Sequence, residues 1–77
     1  MKVRKYLYAV NHSWTLLVAP ERDDAVPAER KGKLVGEVEL DPVHVAGEVD
    51  EIAERLAEHG YCLCHPATGA VRQSTAF

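Results

Sequence analysis

The spacing of apolar residues predicts six elements along the chain. From Val3 to Val10 the string VRKYLYAV is aromatic and β-branched and holds neither Gly nor Pro, which predicts a strand. Asn11-His12-Ser13 interrupts it, since Asn tolerates the left-handed backbone of tight turns. Trp14 to Ala19, WTLLVA, then predicts the returning strand of a hairpin, stopped at Pro20, whose ring nitrogen has no proton to give to a ladder. Pro20 to Lys33 is polar and carries two prolines, and it reads as a long surface loop, functional or mobile, with room for one helical turn from Pro27 to Lys31. Leu34 to Asp41, LVGEVELD, alternates with period two. Leu34, Gly36, Val38 and Leu40 share one face and Val35, Glu37, Glu39 and Asp41 the other, as in a strand with one buried side.

A helical period follows. Asp41-Pro42 supplies a capping side chain and a proline at the first helical position. Gly47, costly inside a helix, offers a competing start. Val45, Val49, Ile52, Ala53 and Leu56 fall on one stripe, Asp50, Glu51, Glu54, Arg55 and Glu58 fall off it, and Gly60 ends the helix. Tyr61 to His65 is a short strand, Pro66 to Gly69 a turn, and Ala70 to Phe77 a last strand with Val71, Gln73, Thr75 and Phe77 on one face. The expected fold is α+β: a small antiparallel β-sheet of about five strands, in the order β-β-β-α-β-β, covered on one face by a single amphipathic helix.

Length and composition narrow the class. With 77 residues, 47% hydrophobic and 27% charged, the chain reads as one soluble domain spanning 1–77 with a thin core. Its apolar runs are far shorter than the ~20 residues of a membrane-spanning helix. The basic start Met1-Lys2-Val3-Arg4-Lys5 precedes too short an apolar run for a signal peptide, so a cytoplasmic protein is expected. Cys62 and Cys64, one residue apart on an extended chain, are poorly placed for a mutual bridge and read as reduced thiols.

Charge is unevenly distributed. Residues 1–36 carry seven Lys or Arg against four Asp or Glu, whereas residues 37–77 carry two against eight. This asymmetry bears on partners and association rate, not on fold.

Candidate chemistry is sparse. His59, Cys62, Cys64 and His65 gather soft metal ligands, yet they lack the paired spacing of a zinc site, and strand alternation sets Cys62 and Cys64 opposite His65. Both cysteines read as small core hydrophobes. A metal- or redox-responsive domain using Cys62 and Cys64 is one alternative. Neighbouring Cys64 and His65 face opposite ways, His12-Ser13 sits in a turn, and no nucleophile elbow, Walker loop or zincin motif is present, so neither catalysis nor a cofactor is expected. Lys2, Arg4, Lys5, Tyr6 and Tyr8 interleave base and ring along the first strand, as on stacking platforms for nucleic acid. An isoelectric point near 5.7 and the absence of an RNP-like pattern make direct nucleic-acid binding through that hairpin the less favoured alternative.

Two surfaces point to protein binding. Glu48, Glu51, Glu54 and Glu58 form an acidic face suited to a basic patch on another macromolecule, or to solvation alone. The first two strands are apolar on both sides, one helix covers only one side, and the 20–33 loop has little apolar content. Tyr6, Tyr8, Trp14 and Leu16 are therefore expected to form an interface, for a homodimer or a target. In size, acidity and lack of catalytic motifs the chain resembles the small inhibitors encoded by phages and mobile elements, such as anti-CRISPR proteins. That resemblance implies a non-enzymatic inhibitor that docks on a host nucleic-acid-binding complex; it covers no motif and assigns no residue.

Overall fold

In the computed structural model, which describes residues 1–73, β1 (Lys2–Tyr8) and β2 (Thr15–Val18) form the expected hairpin at the middle of the sheet, with Arg4 opposite Val18 and Leu7 opposite Thr15. Asn11 makes the turn: its carbonyl accepts the Trp14 N–H at 3.1 Å and its side-chain oxygen the Ser13 N–H at 3.0 Å. The first strand stops at Tyr8, two residues earlier than the apolar run suggests, and Val10 is exposed. β3 (Lys31–Glu39) pairs with the outer side of β1, β4 (Tyr61–Cys64) with that of β2, and β5 (Val71–Arg72) with β4. All pairings are antiparallel, in the order β3-β1-β2-β4-β5. Among the described residues one α-helix, α1 (Val49–His59), links β3 to β4, which gives the expected α+β fold. The final strand was expected to run to Phe77; its described part is Val71–Arg72, and Thr75 and Phe77 lie outside the described residues.

Two expectations change at β3 and α1. The strict alternation assigned to Leu34–Asp41 is broken, because Lys5 faces Gly36 while Tyr6 faces Leu34, leaving Val35 as an extra residue. A bulge of this kind moves Leu34 off the face it would share with Gly36 and Val38 and onto that of Tyr6. A second shift, between Tyr6 and Tyr8, lets the strand begin at Lys31 instead of Leu34. The helix does not start at Asp41-Pro42. There the Asp41 side chain closes a separate turn, accepting the N–H groups of Val43 and His44 at 3.0 and 3.1 Å and facing His44 Nδ1 at 2.8 Å. α1 starts after Gly47, the competing position, with Glu48 as its cap residue. A Cβ on Gly47 would lie 2.7 Å from Val71 Cγ2 and 3.1 Å from both Cys64 Sγ and Ile52 Cδ1, so any larger residue under the helix start must push these side chains aside.

At the other end Gly60 takes the left-handed conformation, φ 84°, and returns its N–H to the Leu56 carbonyl at 2.8 Å. Among the described residues no helix is long and apolar enough to cross a membrane.

The central strands bury side chains on both faces. On the helix side Val3, Leu17, Ala19, Cys62 and Cys64 meet Ile52 and Leu56 of the stripe read from the sequence, and Val45, expected on that stripe, reaches the same core from the turn before the helix. On the other side Tyr8, Leu16, Val18 and Leu63 form a second cluster closed by Val26. Val26 comes from the 20–33 segment, which folds into two short 3-10 turns, Pro20–Ala25 and Ala28–Arg30. The segment expected to have too little apolar content to cover the sheet supplies that cover, with Val26 and the buried Asp23 as its inward residues.

Candidate protein-binding face

The outward side of α1 follows from its inward side. Ile52 and Leu56 are anchored in the core, so residues on the opposite arc must face solvent, and Glu51, Glu54 and Glu58, spaced three and four apart, share that arc. Glu48, Glu54 and Glu58 are exposed. Glu51 is half-buried and accepts a hydrogen bond from Arg55 at 3.3 Å, so one acid of the four has a partner inside the chain. Glu51, Glu54, Arg55, Glu58 and His59 line a shallow cleft of about 280 Å³. The structure thus gathers three of the four acids in one depression and sets Glu48 at the helix entrance. Such an arrangement can hold cationic side chains through several weak, water-shared contacts and can steer their approach over a longer range.

The apolar hairpin is not a free surface. Tyr8 is 5% exposed and Leu16 fully buried, both inside the second cluster, so the interface assigned to them is corrected: they are core. Tyr6 packs against the same cluster and donates its hydroxyl to Asp23 at 2.7 Å. Trp14, partly buried there, meets the His65 ring edge-on at 5.1 Å between centroids, while the Arg72 guanidinium lies 5.1 Å from its ring. Tyr8 and Leu16 are buried because a single valine, Val26, and a polar anchor close this side of the sheet.

That anchor is Asp23, a residue the sequence did not single out. Its carboxylate receives the Arg4 guanidinium at 2.6 Å, the Tyr6 hydroxyl at 2.7 Å and the Lys31 ammonium at 3.2 Å. Burial works against the charge, yet these three donors outweigh it and hold the Asp23 carboxyl below its ordinary range. The same contact, set against desolvation, holds Arg4 above its usual value, whereas burial and the carboxylate together raise the Tyr6 hydroxyl. No local signal marks Asp23, because its partners come from β1 and from the start of β3.

Residues of the nucleic-acid alternative are divided between the sheet faces and held in internal contacts. Arg4 also bonds Glu37 at 3.4 Å, Lys2 lies 4.0 Å from Glu39, and Lys5 donates to the His44 carbonyl at 2.9 Å. Lys5 lines a cleft of about 350 Å³ with His44, Thr15 and Cys64, between the 41–47 turn and the sheet; sequence spacing gives no hint of it.

The cysteines and histidines part as alternation predicts. Cys62 and Cys64 are buried beneath the helix, while His65 bends outward, its Nδ1 accepting the Ala67 and Thr68 N–H groups at 3.2 and 3.3 Å. Burial, and then the neighbouring Cys64, pushes the Cys62 thiol up to about 12. Among the described residues no cluster of His, Cys, Asp or Glu is placed to hold a metal ion. Comparison of the chain with family models, with curated proteins and with solved structures finds no match in any of the three.

Proposed function

We propose that this chain is a non-enzymatic binding domain that docks the outward face of α1 on a basic patch of a partner protein, a patch of the kind that otherwise holds nucleic acid, and thereby inhibits that partner. The reading is carried by one observation: Glu54 and Glu58 are exposed on a helix held rigidly by Ile52 and Leu56, beside Glu51 and with Glu48 exposed at its start. A helix backbone already fixed in the fold loses little order on docking, and like charges carried on it speed encounter with an oppositely charged surface. The acidic excess of residues 37–77 supports the same polarity.

The test is affinity capture from a native lysate with the wild-type chain and with Glu54→Lys/Glu58→Lys, followed by calorimetry of the identified partner at two salt concentrations. Reversal should weaken binding at least about tenfold and flatten its salt dependence. The melting temperature should hardly move, since exposed charges contribute little to stability. Unchanged affinity in the reversed variant refutes the proposal.

A further inference from the structure

The cleft over Lys5 is a second site, independent of the acidic arc of α1. Lys5 stands directly opposite Leu17 on paired strands, so it belongs to the sheet face that α1 covers, but the 41–47 turn lies over it instead of the helix. Its ammonium donates to the His44 carbonyl at 2.9 Å, which uses one of its three N–H donors and leaves two for another acceptor. Strand pairing on both sides of Lys5 and the bond to His44 hold this cation in place before anything binds.

The lining decides the occupant. In a chain of net charge −3 no carboxylate lines this cleft, and its ionisable side chains are Lys5, His44 and the buried Cys64. Leu17, Pro42, Val43, Val45 and Pro66 supply apolar walls, and Val43, 86% exposed, is an apolar side chain that the fold leaves uncovered at the rim. A matching molecule is anionic at one end and apolar over the rest. Phosphate calls for several converging donors, and the backbone N–H groups of Val43, His44 and Val45, which could have cradled it, are all spent on Asp41. A single lysine suits a singly charged carboxylate instead. The volume of about 350 Å³ lies at the small end of ligand pockets, which limits the apolar part to one ring or a short chain. We infer that this cleft binds a small monocarboxylate, its charged end on Lys5 and its apolar body against Val43, Val45 and Pro66.

Benzoate is the probe, titrated into the full chain at constant ionic strength and followed by amide proton–nitrogen NMR. Its shifts should saturate with a dissociation constant of about 1–10 mM, the range for a ligand of so few atoms. They should centre on the amides of Thr15, Val45 and Cys64, which line the cleft. Benzyl alcohol, of similar shape without the charge, should bind at least about fivefold more weakly, and inorganic phosphate should give no saturable shift at these amides. Lys5→Gln should raise the benzoate constant at least about fivefold, whereas Lys5→Arg, which keeps the charge, should hold it within about twofold of wild type. Val43→Ser, at an exposed position, should raise it about threefold by removing apolar wall. The amide spectrum of each variant verifies its fold. Benzoate that does not saturate, that shifts amides elsewhere, that binds no better than benzyl alcohol, or that is indifferent to Lys5→Gln overturns the inference, as does saturable phosphate binding at the same amides.

Discussion

Replacing Asp23 by Asn removes one charge and almost no volume. In the wild-type chain the carboxylate sits 8% exposed among Arg4, Tyr6 and Lys31, at 2.6, 2.7 and 3.2 Å. An amide there offers one acceptor where three donors converge, and its own N–H₂ group turns toward a cation. A hydrogen bond to a charged group contributes about 1.5–3 kcal/mol, but the contributions do not simply add here. Arg4 retains Glu37 at 3.4 Å, and its side chain is 37% exposed, so water takes up part of the loss. A cost of about 2–4 kcal/mol follows, most of it from the two cations left facing each other at the rim of the second cluster. For a domain of this size the melting temperature should fall by about 10–25 °C. Urea unfolding followed by Trp14 fluorescence measures the change, because Trp14 packs on that cluster. If the Asp23→Asn variant unfolds within about 0.5 kcal/mol of wild type, the effect of an ordinary surface substitution, the carboxylate is not the anchor of the 20–30 segment and the reasoning fails.

Acid should act through the same group. The folded-state value of Asp23 lies below its unfolded value of about 3.9, so its contribution is complete above that value and is lost as pH falls through the folded one; urea midpoints should be level from pH 7 to about 5 and decline below about 4, and a midpoint that rises on acidification contradicts this. Cys62, with its thiol pushed up to about 12, should resist alkylation in the native protein at pH 8 and react once the protein is unfolded, as mass spectrometry would show. Cys62→Ser, which buries a hydroxyl beneath α1, should cost about 1–3 kcal/mol in chemical denaturation. Gly47→Ala should cost about 1–3 kcal/mol, because the added methyl meets Val71, Cys64 and Ile52 at 2.7–3.1 Å, and a neutral or stabilising result would show that the helix entrance yields.

Local periodicity carried most of the architecture. Two Val- and aromatic-rich runs around Asn11 were enough for the hairpin, the three- and four-residue spacing of Val49, Ile52 and Leu56 for the buried stripe of the helix, and Gly60 for its end. The exposed acids of α1 were legible for the same reason, since the arc of a helix that avoids the stripe is fixed once the stripe is known. The alternation of Cys62, Cys64 and His65 along an extended chain was by itself enough to separate the thiols from the imidazole.

What the sequence by itself could not determine are properties of pairs far apart along the chain. The bulge at Val35 arises from how β3 meets β1, and an unbroken alternation of residue types carries no trace of it. Helix entry moved from Asp41 to Glu48 because a capping carboxylate closes a turn as readily as a helix, and the close approach of Val71 and Cys64 at Gly47 favours glycine just before the helix. Above all, the polar 20–33 segment looked unable to cover a sheet face when its apolar residues were counted. Only the tertiary structure brings Asp23 to Arg4, Tyr6 and Lys31, and this polar anchor seats Val26 over Tyr8, Leu16, Val18 and Leu63. Periodicity reports which side of an element is apolar; which distant segment lies against that side depends on contacts that one-dimensional spacing does not encode.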